Sequence, residues 1–126
     1  MSLVSNISAA VTQIGAKIKA LTARVTALES MPIHTAQTAA YTFVLADAGT
    51  CTPFNLSAAA NATIPANASV AFPIGTVLYV RQAGTNAVTL VAGAGVTLNA
   101  PNGAATSAKG DWRCAVKVAA DEWDVA

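Results

Sequence analysis

Charge is missing from long stretches of this chain. Ala48 to Val80 contains no Asp, Glu, Lys or Arg, and after Arg81 the chain is uncharged again from Gln82 to Ala108. Ordinary soluble domains carry about a quarter of their residues as Asp, Glu, Lys or Arg. These segments are built instead from Ala, Thr, Ser, Asn and Gly, a neutral composition suited to tight β packing and to faces covered by neighbouring subunits. Lys and Arg number 7 against 6 Asp and Glu and are scattered, so no dense basic face exists to recruit nucleic acid or an anionic membrane.

Metal ligands are equally sparse. His34 is the single histidine, and the two cysteines, Cys51 and Cys114, lie far apart, short of the converging set that zinc requires. A trimer could gather three copies of His34 around an ion, but a solvated histidine in a connector is the simpler reading. No cofactor is called for. Catalysis by Cys51 or Cys114 with His34 has no local support, because both thiols fall inside strand-like segments where packing is their ordinary role. Nothing indicates an oxidising compartment, so the thiols are read as free. Of the carboxylates Asp47, Asp111, Asp121, Glu122 and Asp124, four cluster in the last strands and turns and are expected to be solvated. Gly93-Ala-Gly95 lacks the third glycine and the lysine of a phosphate loop. The chain is therefore read as non-enzymatic.

An export signal is also lacking. The N-terminus has no basic leading region, and Lys17, Lys19 and Arg24 break up any apolar run before it reaches membrane-spanning length. The glycosylation-type triplets beginning at Asn6, Asn55, Asn61 and Asn67 are read as accidents of an Asn- and Ser-rich chain.

What the sequence does contain is a seam. Val4, Ile7, Val11, Ile14, Ile18, Leu21, Val25 and Leu28 follow one another at alternating intervals of three and four, the a and d positions of a coiled coil. At about 1.5 Å per residue they make a rod of about 37 Å. Arg24 falls at g and Glu29 at the following e, the spacing at which parallel chains form an interchain ion pair. Ile and Val at both a and d in the first half favour three strands. Leu at d in the second half is also compatible with two. A helix packed on its own domain would show a wider apolar stripe. Pro32 occupies the next a position and ends the rod, since it removes a backbone donor.

The chain is thus divided into a stalk at 1–31, a connector at 32–40 and a β domain at 41–126. From Tyr41 the apolar period changes from helical to two. Candidate strands cover Tyr41 to Leu45, Thr50 to Leu56, Ala62 to Ile64, Thr76 to Gln82, Ala87 to Ala92, Val96 to Asn99, Trp112 to Val118 and Glu122 to Val125, separated by Gly- and Pro-rich turns. This succession predicts a meander of antiparallel strands closed into a small β-barrel or sandwich knob. The aromatic residues Trp112, Trp123, Tyr79 and Tyr41 could line a glycan-binding surface, but three of the four sit within strand patterns and are counted first as core. The loops around Gly84, Thr85, Asn86, Gly93 and Asn102 are the expected surface-recognition loops.

The runs Tyr41-Thr-Phe-Val-Leu-Ala-Asp-Ala-Gly49, Ile64-Pro-Ala-Asn67, Ala71-Phe-Pro-Ile-Gly75-Thr-Val, Val80-Arg-Gln82, Val91-Ala-Gly-Ala-Gly-Val-Thr97 and Asp121-Glu-Trp123 resemble, in their order and spacing, the β domain at the ends of many tailed-bacteriophage fibre proteins. The resemblance implies a structural virion protein. It would be a parallel homotrimer, a short head or tail fibre assembled in the host cytoplasm, whose N-terminal end meets a capsid or tail protein and whose knob meets a host-surface glycan. The alternative is a stand-alone trimeric carbohydrate-binding or adhesin module, in which three linked knobs gain avidity.

Overall fold

A computed structural model describes residues 2–126, with only the backbone described at 26–29. The chain divides into two units, Met1–Met31 and Pro32–Ala126.

The first unit is a single helix, α1, over Leu3–Glu29. The side chain of Ser2 caps it by accepting from the Ser5 amide at 3.2 Å, satisfying one of the donors that a helix start leaves unpaired. Within the helix the Thr12 hydroxyl donates back to the Ser8 carbonyl at 3.0 Å. Ser30 is extended, with φ −128° and ψ 133°, and ends the helix two residues before Pro32. Among the described residues no helix is long and apolar enough to cross a membrane.

The second unit is β throughout, apart from a 3₁₀ turn at Leu45–Asp47. Its strands are β1 (Tyr41–Thr42), β2 (Cys51–Phe54), β3 (Ala60–Ile64), β4 (Val77–Gln82), β5 (Val88–Ala92), β6 (Thr97–Asn99), β7 (Trp112–Ala119) and β8 (Glu122–Val125). They form a three-stranded sheet, β1-β3-β5, and a five-stranded sheet, β2-β4-β7-β8-β6. The expected antiparallel meander is overturned. β1 with β3, β3 with β5, β2 with β4, and β6 with β8 are all parallel, and only β4 with β7 and β7 with β8 run antiparallel. Neither sheet closes on itself, so the barrel is overturned as well.

The physical reason lies in the connections. Consecutive strands from β1 to β6 cross from one sheet to the other, so β1 pairs with β3, β2 with β4 and β3 with β5, all in parallel, as the chain winds around a shared core. The β7–β8 hairpin then inserts between β4 and β6. Tight turns in this path use left-handed backbone, as at Gly49 (φ 70°) and Gly75 (φ 90°), where a side chain would be strained.

The free edges are partly covered, which blunts their capacity to pair with other chains. Residues 33–37 run beside β2, with the His34 amide donating to the Cys51 carbonyl and the Gln37 amide to the Pro53 carbonyl, each at 2.9 Å. On the other sheet, the segment 104–106 borders β5 through the Leu90 amide on the Ala104 carbonyl and the Thr106 amide on the Val88 carbonyl, each at 3.0 Å.

Between the sheets lie Phe43, Phe54, Ile64, Phe72, Leu78, Val80, Val88, Leu90, Trp123 and Val125. Phe72 and Trp123 meet edge to face at 5.6 Å, a geometry that adds about 1 kcal/mol beyond the area buried. Trp112, one of the four candidate surface aromatics, is 40% exposed. It shares its side of β7 with Cys114 and Val116, whereas Ala115 and Lys117 point inward.

Candidate functional site

The seam is the most exposed apolar feature of the single chain. Val4 is 76% exposed, Ile7 54%, Val11 63%, Ile14 57%, Ile18 59%, Leu21 57% and Val25 44%. All seven lie on one regular helix, so their three-four spacing becomes a continuous stripe. Arg24 is exposed at the surface of the same helix. The side chains of Leu28 and Glu29, the last seam position and the acidic half of the expected ion pair, lie outside the described residues.

The loops expected to recognise a surface are partly occupied with internal packing. Gly84 is buried, and a Cβ there would stand 2.5 Å from Asn55 Oδ1. A Cβ at Gly93 would stand 2.8 Å from the Ile64 carbonyl oxygen, so this glycine permits a close approach of two backbone segments. Asn86 Nδ2 donates to the Leu56 carbonyl at 2.8 Å. Thr85 and Asn102 are exposed.

Two polar clusters escaped the sequence reading. The first is centred on Asp47, whose side chain is wholly buried within the 3₁₀ turn. Its Oδ2 accepts from the Val44 amide at 2.7 Å and from the Tyr41 hydroxyl at 3.0 Å. Its Oδ1 has no hydrogen bond and faces His34 Nδ1 at ion-pair distance, 3.2 Å. His34 is therefore not a solvated connector residue. It joins the segment beside β2 to the turn before β2. Burial pushes the Tyr41 phenol above its usual range, and the hydrogen bond to Asp47 and its negative charge act in the same direction.

The second cluster surrounds Lys117, 2% exposed on the inward side of β7. Its Nζ donates to Asn67 Oδ1 at 2.6 Å and to the Phe72 carbonyl at 2.8 Å, and lies 5.9 Å from the centroid of the Trp123 ring. The Asn67 amide donates in turn to Asp121 Oδ1 at 2.8 Å. The ammonium thus pins the loop between β3 and β4 against the β7–β8 hairpin. The signal was available in the sequence, because Lys117 has the same strand parity as buried Ala115.

Of the remaining carboxylates, Asp111 is a loop fastener rather than a solvated group. Its Oδ2 accepts from the Ser107 amide at 2.8 Å and hydroxyl at 3.1 Å, while Oδ1 accepts from the Trp112 amide at 2.8 Å and Arg113 Nη1 at 3.2 Å. The Ser107 amide bond is the largest influence holding its carboxyl below the usual range, and the Arg113 charge adds to it. Glu122 and Asp124 are bridged by Asn99 Nδ2, 2.9 Å from each.

The cysteines are free. Cys51 and Cys114 both pair with Tyr79, from opposite sides of β4. Two strand spacings separate them by about 9.5 Å, beyond disulfide reach. Burial pushes the Cys51 thiol up, against a partial opposing effect of Arg81, the reverse of what a nucleophilic thiol needs. Among the described residues no group of three or more His, Cys, Asp or Glu side chains is placed to hold a metal ion. No family model, curated protein or solved structure matches the chain.

Proposed function

We propose that the chain is a structural subunit, a parallel homotrimer joined through α1, which forms a short fibre on a tailed-phage virion. The observation that carries the association is the exposed seam. Seven apolar side chains on one stripe are each between 44% and 76% exposed. Covering the remaining surface of each stabilises the assembly by about 1 kcal/mol per residue, for side chains worth about 1.5–3 kcal/mol when fully buried. Arg24 and Glu29 would then pair between parallel chains. The assignment to a virion rests on the order of the residue runs from Tyr41 to Trp123.

Two measurements test this. Light scattering of the full chain is expected to give three times the 12.6 kDa of one copy, and a single-chain mass would overturn the association. Purified particles are expected to contain the protein. Its absence from them, together with glycan binding by the free trimer, would establish the adhesin reading instead.

A further inference from the structure

The outward face of the five-stranded sheet is apolar along most of β4 and β7. Leu78, Val80 and Ala115 enter the core, so strand alternation turns Val77, Tyr79, Cys114 and Val116 to the other side. Trp112 and Val118, 40% and 42% exposed, extend the same face. Arg81 is the single charge among the outward side chains of β2, β4 and β7. Among the described residues the contacts at ion-pair distance are His34–Asp47 and Arg113–Asp111, so Arg81 has no carboxylate partner among them.

Beyond β7 the same face changes character. Glu122 and Asp124 stand outward on β8, since Trp123 and Val125 enter the core, and the Asn99 amide on β6 is their only hydrogen-bond donor among the described residues. One half of the face is apolar with an unpaired cation, and the other carries two carboxylates without a cation. The halves complement each other.

We propose that this face is a second interface between copies of the chain, with the β4-β7 half of one copy packed on the β8-β6 half of the next. Arg81 pairs there with Glu122 or Asp124 of the partner subunit. A contact between two different patches closes into a ring when the rotation allows it, and in a three-fold ring every copy gives one half to each neighbour. The number of copies rests on the trimeric reading above; the complementarity of the two halves does not.

The test uses the full chain carrying Arg81→Lys, which keeps the charge and supplies a reactive amine. Isotopically light and heavy subunits are mixed by unfolding and refolding, treated with a zero-length carbodiimide, and digested for mass spectrometry. The expected product joins the amine at position 81 to Glu122 or Asp124 with one light and one heavy half. Links of uniform isotope only, in a preparation whose mass is trimeric, would overturn this interface and leave the helix-joined trimer standing. A single-chain mass would overturn both. Acrylamide quenching supplies an independent readout, because Trp123 is buried and Trp112 is not. Arg81→Glu is expected to increase quenching of Trp112, and adding Asp124→Arg to reverse the increase. Quenching of the wild type equal to that of a dissociated seam variant would overturn the proposal.

Discussion

Replacing Ile14 and Ile18 with Asp separates what the helix needs from what the assembly needs. In the single chain these residues are 57% and 59% exposed, so the substitutions remove little intrachain packing, and the helix-propensity cost is below about 1 kcal/mol. In the associated rod each position becomes a ring of carboxylates at the centre. Desolvating an unpaired charge costs several kcal/mol per ion, and the lost isoleucines add about 0.8 kcal/mol per methylene no longer buried. The total exceeds about 10 kcal/mol, comparable to the whole stability of a small domain. Light scattering across a concentration series should therefore give the single-chain mass, and circular dichroism should lose helical signal, because an isolated helix without tertiary packing is marginal in water. A native mass with undiminished helical signal would refute the argument and place association in the β domain alone.

Gly15→Ala acts in the opposite direction. A Cβ there meets nothing within 4 Å, so the change should stabilise the helix by about 1 kcal/mol, read as a higher melting temperature at fixed protein concentration. Lys117→Ala should cost about 3–5 kcal/mol in urea unfolding, since it leaves a cavity and strips two acceptors, Asn67 Oδ1 and the Phe72 carbonyl, of their donor. Lys117→Met, which fills the space, should cost less. Gly93→Ala should cost about 1–3 kcal/mol, because its Cβ would meet the Ile64 backbone oxygen. Gly84→Ala should be milder, its closest clash being with the movable Asn55 side chain. Asp111 has a lowered folded pKa, so its contribution is complete above the unfolded carboxylate range and lost as pH falls through the folded value. Asp111→Asn should flatten that acid limb of the stability profile without altering the alkaline one.

Much of the fold was legible as positions and little of it as partners. The interval pattern of Val4 to Val25 is a helix stripe wherever it is placed, and α1 follows it with one extra residue at each end of the span from Val4 to Leu28. The candidate strand Thr76 to Gln82 is β4, and Glu122 to Val125 is β8 without change. Alternation records which side chains share a face. It does not record which strand lies alongside. A meander makes neighbours of consecutive strands, whereas here Cys51 lies beside Tyr79, and Ala62 beside Leu90, each a full winding further on. The His34–Asp47 pair was hidden for the same reason, since it forms only once residues 33–37 run along β2. Being a strand aromatic does not decide burial either: Trp112 shares the parity of Cys114 and Val116, which turns it outward, while Trp123 is buried.

The missing charge can now be divided between two causes. Stacked parallel strands bring like positions of successive windings together, such as Thr63 beside Val91 and Thr52 beside Val80, and like charges placed directly across a strand pair repel. Winding of this kind favours neutral, small residues within the chain itself, which accounts for β2, β3 and β5. It does not account for the outward sides of β4 and β7, where nothing within the described chain covers Trp112 or Val118 and where water would ordinarily be met by Lys, Glu or Thr. A partner on that face would account for the neutral composition there, and in the proposed interface that partner is another copy, which sets Arg81 against Glu122 or Asp124. Subunit contact, inferred from the sequence for both uncharged stretches alike, is proposed for only this one face of the β unit.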